Sequence, residues 1–361
     1  METLTTTTSP LFARIPAETL GWLAGPENPA VAVMTRRTLL CEEDSPELQA
    51  LWARRNEYAA VAAILAAQLQ DGSWMAPSQD YRKYGGSLWQ VHFLGQLWAD
   101  ADDERVRRGA DYAFSRQLDD GSWSASNARA AGSLPCLTAN VGRALARLGW
   151  ERDERVVAAL EHCVRLTEEL GVLDCRWMGT YQLNGYCHML APKYLLFLAE
   201  VPRALWPDGA EALRDECVAA LRDKAVFRCL PAEAAEYQEL WRSSPAAQRD
   251  GLRDRFIAEH GELRYGAKTG WTRFGFPLSY NSDALEALAA LMAVDEDPRP
   301  EYAEAIALVR EAADPQMRWR MRNSFNGKMV ADVEKRGAPS KWLTLRALRV
   351  LDWAGECEPC P

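Results

Sequence analysis

Three cysteines and one histidine are the residues of this sequence whose types and positions best suit metal chemistry. Cys136 and the pair Cys187 and His188 each precede an apolar segment, and Cys175 lies between them. A position at the amino end of a helix lowers the pKa of a thiol and favours the metal-binding thiolate. Three sulfur ligands and one imidazole suit tetrahedral zinc. These residue types predict a zinc site of Cys136, Cys175, Cys187 and His188.

Packing offers a second explanation for the cysteines, because an unpaired cysteine behaves as a small buried hydrophobic residue. It applies most directly to Cys163 and Cys217, which lie on predicted amphipathic helices. Cys357 and Cys360 lie between prolines with no helix after them, which indicates a frayed tail. For the three cysteines of the predicted zinc site, both explanations stay open.

Two carboxylates are candidates for proton transfer. Asp174 adjoins Cys175, and Asp283 lies at the start of a predicted helix. Burial would raise the pKa of Asp283 and make it a general acid, whereas a first-turn helix charge is the plainer interpretation. Aromatic and basic residues in the same segments are predicted to contact substrate: Trp177, Arg273, Tyr280 and Trp342.

An internal sequence repeat predicts the helices that must position these residues. The segment 68–74, QLQDGSW, returns as QLDDGSW at 117–123, and the sequence DERV at 103–106 returns at 153–156. After each DGSW turn comes a helix that is apolar nearly all round, then an acidic turn and an amphipathic helix. A helix without a wide polar face is buried on most sides, so the two helix types form inner and outer layers.

Further helices of both types follow from the same patterns. Inner-type helices are predicted at 87–98, 137–148, 188–200, 279–293 and 340–353. Outer-type helices are predicted at 46–68, 104–116, 154–167, 209–225 and 301–313. Strand-type alternation is nearly absent, so the sequence predicts an all-α protein of helical hairpins.

The repeat resembles the QW motif of the terpenoid cyclase and protein prenyltransferase superfamily, the squalene-cyclase-like proteins. The match rests on Arg108, Gly109, Tyr112, Gln117, Gly121 and Trp123, and the similar layout covers residues 46–355. The resemblance implies an α/α toroid of five to six hairpins around a central cavity. In that fold the inner helices run parallel, so the cysteines at their amino ends would meet at one mouth of the cavity.

The same superfamily implies a second possible ligand set. Protein prenyltransferases hold a catalytic zinc with an Asp, a Cys and a His, and Asp174, Cys175 and His188 resemble that set by residue type. Here the Asp and Cys are adjacent rather than separated by one residue, so the choice between the two sets stays open. The sequence DADD at 100–103 is similar to the acidic signature of protonation-initiated cyclases. Its recurrence before the next outer helix favours helix capping instead.

Composition restricts the possible partners and the compartment. The chain has 361 residues, 48% of them hydrophobic, and a net charge of −9, which argues against nucleic-acid binding. Apolar runs are too short to cross a bilayer, the amino terminus lacks a signal pattern, and nine cysteines indicate reduced thiols, so a cytoplasmic protein is expected. We expect a partly disordered segment 1–30, one toroid domain 31–355 with an irregular insertion or lid at 230–265, and a tail 356–361.

Three functional hypotheses follow. The first is an enzyme of terpenoid-cyclase or prenyltransferase type that acts on an apolar, isoprenoid-type small molecule, with a thiolate-bound zinc at the cavity mouth. The second is a metal-free, acid-initiated cyclase in which Asp283 donates the proton. The third is a binding protein that uses the same cavity without turnover.

Overall fold

The computed structural model describes residues 14–125, 133–170, 173, 183, 187–260 and 265–355. These residues are mostly helical, which confirms the all-α class. The helices are α1 Ala17–Leu23, α2 Pro29–Thr38, α3 Pro46–Ala53, α4 Ala59–Ala66, α5 Ser87–Gln96, α6 Glu104–Ser115, α7 Pro135–Leu145, α8 Glu154–Leu170, α9 Leu190–Leu198, α10 Ala210–Asp223, α11 Pro231–Ser243, α12 Leu252–His260, α13 Ala284–Ala293, α14 Ala303–Glu311 and α15 Lys341–Trp353. Strands β1 Arg228–Cys229 and β2 Gly266–Ala267 form an antiparallel pair.

Six of these helices form an inner layer, which we define as α2, α5, α7, α9, α13 and α15. All residues of α5 and α9 are buried, including the polar side chains Gln90, His92, Gln96 and Lys193. Helix α5 packs against α7, α7 against α9, α9 against α13, α13 against α15, and α15 against α2. Each inner helix is therefore packed against at least one other inner helix.

Amphipathic helices cover the inner layer from outside. Helix α6 packs against α5, α8 against α7, α10 against α9, and α14 against both α13 and α15. On α6 the buried residues Val106, Ala110 and Ala113 share one face, while Arg107 and Asp111 are exposed. Burial of one helix face against another is the main source of stability for helices of this length.

The repeated turns make the same hydrogen bonds in each copy. The indole N–H of Trp74, Trp123 and Trp319 donates to the carbonyl ten residues earlier, at 2.7–2.8 Å. The backbone N–H of each tryptophan donates to a hydroxyl on an inner helix, that of Ser87, Thr138 or Thr344 respectively. Each tryptophan thus joins an outer helix to an inner helix. The copy at Trp319 is a structural repeat that the sequence pattern alone did not identify.

Glycine is required in the turns at Gly72 and Gly121. Both residues have a positive φ, +88° and +87°, a conformation that is costly for other residues. A Cβ on Gly72 would lie 2.3 Å from the carbonyl oxygen of Arg108, and one on Gly121 2.4 Å from that of Ala158. The turns therefore approach the backbone of the next outer helix more closely than any side chain permits.

Helix ends follow the predicted capping. Asp103 accepts a hydrogen bond from the backbone N–H of Arg105, and Asp153 accepts one from that of Arg155, each at 2.9 Å. The helix-capping interpretation of the acidic turn is therefore confirmed. Ser340 caps α15 by accepting from the Leu343 N–H at 3.0 Å, as predicted.

The predicted helix 46–68 was wrong in one respect, because the chain forms α3 and α4 with a break between them. Arg55 turns away to donate to the carbonyl of Trp98, at 2.8 Å. Asn56 accepts from the Asp100 backbone N–H at 2.7 Å and donates to the Asp103 carboxylate at 3.2 Å. These side-chain bonds accompany a 3₁₀ turn at Arg55–Glu57, and the extended backbone of Tyr58, with ψ 125°, separates this turn from α4.

The segment 230–265 contains two helices, α11 and α12, whose buried side chains form a small cluster apart from the main core. Leu230, Tyr237, Leu252 and Phe256 belong to it, together with Leu183. In all the described ranges, α11 and α12 included, no helix has the length and apolar character needed to cross a membrane.

The two ends of the described chain are bonded to each other. Thr19 on α1 donates to the carbonyl of Gln316 at 2.7 Å, across 297 residues. Tyr58 donates to the carbonyl of Val333 at 2.8 Å, and Lys341 pairs with Glu27. Together with the α2 to α15 contact, these bonds join the first hairpin to the last.

Candidate functional site

A cavity of about 370 Å³ lies among the six inner helices, and each of them contributes to its wall. Its lining residues are Met34, Gln96, Trp98, Arg143, Arg147, Leu196, Ala199, Glu200, Phe276, Glu286, Ala289, Met292, Ala293, Trp342, Leu345, Arg346 and Arg349. Four arginines and two glutamates occur among otherwise apolar or aromatic residues. This combination makes the cavity the candidate functional site.

The cavity has an open and a closed end. Ala199, Ala293 and Arg349 are exposed, and they lie at or near the carboxyl ends of α9, α13 and α15. Phe276 and Glu286, by contrast, are each 1% exposed. The cavity therefore opens to solvent where inner helices end. Helix carboxyl ends favour positive charge, which supports the ionised arginines there.

Arg143 is the most buried of the four arginines, with 4% of its surface exposed. Its Nε and Nη1 atoms have no hydrogen-bond partner among the described residues, and Nε lies 3.7 Å from the Glu200 carboxylate. Burial and then the charge of Arg147 lower the pKa of Arg143 to about 9, so the guanidinium remains charged at neutral pH. A buried, charged donor without a partner is costly unless a ligand satisfies it.

Two other arginines are held against aromatic rings. The guanidinium of Arg147 lies 4.3 Å from the centre of the Trp98 ring and bonds to Glu200. That of Arg346 lies 5.4 Å from the Phe276 ring, and its Nη1 atom is unpartnered within the described part of the chain. Cation–π contacts restrict both side chains. The ring faces in this cavity therefore position cations of the protein itself.

A buried ion pair forms part of the closed end. Lys193 Nζ lies 2.6 Å from Glu286 Oε2, and the Ser282 hydroxyl donates to the same oxygen at 2.6 Å. Burial acts to raise the pKa of Glu286, but the charges of Lys193 and Arg346 outweigh it and the pKa is lowered. Glu286 is therefore ionised. Its other oxygen, Oε1, has no hydrogen-bond partner in the described ranges.

The described residues of the predicted zinc site lie at the amino ends of inner helices, as expected. Cys136 is the second residue of α7, and Cys187 and His188 lie three and two residues before the first residue of α9. His188 Nε2 lies 2.8 Å from the carbonyl of Arg228, and burial with the charge of Lys268 lowers its pKa to about 3. None of the three lines the cavity.

Asp174, Cys175, Trp177, Cys357 and Cys360 lie outside the described residues. Among the residues that are described, no three histidines, cysteines or carboxylates form a group that could hold a metal. The predicted zinc site includes Cys175, so it stays a prediction.

Asp283 is the helix cap of α13. Its Oδ1 accepts from the Glu286 N–H at 2.8 Å and its Oδ2 from the Gly275 N–H at 3.0 Å. Burial, and then the charge of Glu286, raise its pKa to about 6. A raised pKa suits a proton donor, but Asp283 is not among the lining residues and both its oxygens accept backbone N–H groups.

Of the described residues predicted to contact substrate, one lines the cavity and two do not. Trp342 lines the cavity and stacks on Phe276, with ring centres 4.8 Å apart. Tyr280 lies elsewhere, with its hydroxyl 3.1 Å from that of Tyr84, and Arg273 is exposed outside the cavity wall. The structure therefore associates only Trp342, of these three, with the arginines.

The arginines themselves were missed in the sequence, although a signal was present. Arg143 and Arg147 are four residues apart, and Arg346 and Arg349 are three apart, which places each pair on one helix face. Charged pairs on helices that are otherwise apolar all round must face a cavity or a buried partner. The same reasoning applies to Lys193 on the fully buried helix α9.

Comparison with known proteins adds little to this geometry. No family model and no curated protein matches the chain. A solved structure, described as a protein from Actinoplanes, is similar with 17% sequence identity and a TM-score of 0.34, over 84% of this chain and 99% of that one. At this score the similarity carries no argument, so the function is argued from the cavity.

Proposed function

We propose that the chain is an α/α toroid whose cavity binds a small organic anion with an apolar chain, and that it acts on this molecule as an enzyme. The series of contacts from α5 through α7, α9, α13 and α15 to α2 supports the toroid. So does the wall of the cavity, to which all six inner helices contribute. An outer helix against each successive inner helix fits the same architecture.

The buried guanidinium of Arg143, with two unpartnered nitrogen atoms, is the observation that carries this proposal. Arginine binds phosphate and carboxylate groups through planar, paired hydrogen bonds. Four arginines against two glutamates leave the lining with two positive charges in excess. A dianionic group such as a phosphate ester matches this charge.

The remaining wall suits an apolar chain. Met34, Leu196, Met292 and Leu345 line the cavity, and methionine adapts readily to irregular apolar ligands. An anion with an isoprenoid-type chain would therefore find both kinds of partner. This agrees with the class of substrate that the resemblance to terpenoid cyclases and prenyltransferases implies.

The arginines would also supply catalysis in a reaction of that type. When the C–O bond of an isoprenoid phosphate ester breaks, the electron pair leaves with the phosphate oxygen. The carbon chain is left as a cation. It is either captured by a nucleophile such as water, or it closes on its own double bond and the resulting cation then loses a proton to the released phosphate. Preorganised donors at the departing oxygen stabilise the charge that develops there. A role for Asp283 as the initiating acid would require a route to the ligand, whereas Asp283 does not line the cavity.

A zinc ion at the amino ends of the inner helices remains part of the proposal. The ligands would be either Cys136, Cys175, Cys187 and His188, or Asp174, Cys175 and His188. His188 Nε2 lies 2.8 Å from the Arg228 carbonyl, a contact of the kind that orients the ring of a metal-bound histidine. Because none of the described ligands lines the cavity, zinc there would act as a Lewis acid only on a group that reaches the amino ends of the inner helices. Elemental analysis should find about one equivalent, lost after Cys136→Ser or Cys187→Ser; its absence from the purified wild type would remove zinc from the proposal.

Calorimetric titration with geranyl phosphate and with geraniol tests the anion site. Geranyl phosphate should bind, and geraniol at least tenfold more weakly. Arg143→Met should weaken geranyl phosphate binding roughly tenfold to a hundredfold, since a hydrogen bond to a charged group contributes about 1.5–3 kcal/mol. Arg107→Met, on the exposed face of α6, is the matched control. Equal binding of both compounds, or no effect of Arg143→Met, would refute the proposal.

The same incubations distinguish an enzyme from a binding protein. Release of inorganic phosphate together with a changed hydrocarbon, followed by mass spectrometry, identifies turnover. Geranyl diphosphate should be tried in parallel, because a diphosphate is the better leaving group. Binding with unchanged ligand would support the third hypothesis, a carrier that uses the cavity without chemistry.

A further inference from the structure

The closed end of the cavity presents an acceptor that the anion site does not use. Glu286 is 1% exposed, lines the cavity and carries both its protein hydrogen bonds on Oε2. Its Oε1 has no partner among the described residues. An unpartnered carboxylate oxygen in a buried wall is costly and requires an explanation.

Arg346 is a candidate partner for this oxygen within the protein, yet the two groups do not bond. Both line the cavity, and the charge of Arg346, after that of Lys193, helps to lower the pKa of Glu286 against the opposing effect of burial. Nevertheless, Arg346 Nη1 and Glu286 Oε1 both lack a hydrogen-bond partner within the described ranges. Arg346 Nη1 is a donor and Glu286 Oε1 is an acceptor in the same cavity. A ligand group that accepts a hydrogen bond from Nη1 and donates one to Oε1 would satisfy both atoms.

We propose that Glu286 Oε1 and Arg346 Nη1 recognise a hydroxyl group on the ligand, in addition to its anionic group. A hydroxyl donates its hydrogen to Oε1 and accepts from Nη1, so it satisfies both atoms. An ammonium group would satisfy Glu286 alone and would meet the repulsion of four arginines. This inference rests on the proposed anion site and makes Glu286 a specificity-determining residue.

Calorimetric titration of the full chain with three series of phosphate monoesters tests the proposal. The series are alkyl phosphates, ω-hydroxyalkyl phosphates and ω-aminoalkyl phosphates, each with two to ten carbons. At one chain length or more, the hydroxyl compound should bind at least tenfold more tightly than the alkyl compound. The amino compound should show no such gain.

Variants then assign the preference to Glu286. Glu286→Gln should reduce the hydroxyl preference to below about threefold, while Glu311→Gln, exposed on α14, should leave it intact. Because Glu286→Gln leaves Lys193 without its charged partner, Lys193→Met with Glu286→Gln serves if the single variant does not fold.

The outcomes separate the two proposals. Alkyl phosphates that bind without any gain from the hydroxyl group, at every chain length, would overturn the inference and leave the anion site intact. A gain of equal size for the amino compounds would overturn it too, since it would assign a cation subsite to Glu286. Absence of binding in all three series would overturn both proposals.

Discussion

The two ends of the inner helices differ in what their polar groups are bonded to. At the amino ends, Asp283 and Ser340 accept hydrogen bonds from backbone N–H groups, and His188 faces a backbone carbonyl. In the cavity that opens at the carboxyl ends, Arg143 and Glu286 keep polar atoms without protein partners. The three amino-end side chains named here are bonded to the backbone, whereas Arg143 and Glu286 keep atoms that a ligand can bond. The following predictions test this difference.

Removal of the Lys193 charge that pairs with Glu286 should have the largest effect, a loss of folding stability. Lys193→Met leaves an ionised carboxylate buried without its partner, which should lower the free energy of unfolding by about 3–5 kcal/mol. Urea denaturation measures this loss. The double variant Lys193→Met with Glu286→Met should recover most of it, because a buried ion pair is replaceable by apolar side chains. A loss below about 1 kcal/mol in the single variant would contradict the buried pair.

The cap Asp283 should produce the next largest effect, as a dependence of stability on pH. Its pKa is raised from 3.8 to about 6 in the folded chain, so the native state binds the proton more tightly than the unfolded state. Its contribution is present in full below about pH 4 and is lost as the pH rises through about 6. Between pH 4 and pH 7, the free energy of unfolding of the wild type should fall by about 2–3 kcal/mol relative to that of Asp283→Asn. A stability difference that is constant with pH would refute the burial of an ionisable group there.

Within the cavity, arginines at different depths should differ in their effect on binding. Arg346→Met should weaken geranyl phosphate binding about tenfold, while Arg349→Met should change it less than about threefold, because solvent and salt screen an exposed charge. Titrations at low and high salt provide the check. The effect of Arg349→Met should fall further at high salt. An equal effect of both variants would place the anion at the opening rather than inside.

The smallest effect on ligand binding is expected from substitutions at the amino ends of the inner helices. Cys136→Ser should change geranyl phosphate binding less than about twofold, because Cys136 does not line the cavity. The titration used for the arginine variants measures this directly, with the wild type as reference. A loss comparable to that of Arg143→Met would show that the two ends form one site.

Local patterns predicted the all-α class and many of the helices well, because each pattern rests on a short-range cause. The apolar helix 188–200 and the amphipathic helix 209–225 correspond to α9 and α10, and the acidic turns cap outer helices as expected. The break between α3 and α4 was missed because Arg55 and Asn56 bond to a turn more than forty residues away. Such distant partners leave no trace in a helical pattern.

The cavity was harder to predict for the same reason. Arg143 and Arg346 lie on helices about 200 residues apart, and only the packed helices place them in one wall. The metal-binding residue types pointed to the amino ends of inner helices, whereas the signal for the cavity is charge on apolar helices. Of the predicted substrate contacts, Trp342 was placed in the cavity, because its position near the start of the last inner helix was evident from the sequence.

The bonds from Thr19 to Gln316 and from Tyr58 to Val333 have a consequence for biosynthesis. A linear stack of repeats can complete each unit as it leaves the ribosome. Here the apolar faces of α1 and α2 stay unpaired until residues roughly 300 positions later have been translated. Such late pairing slows folding and leaves apolar surface exposed to aggregation. Premature termination before α15 would therefore affect the beginning of the chain as much as its end.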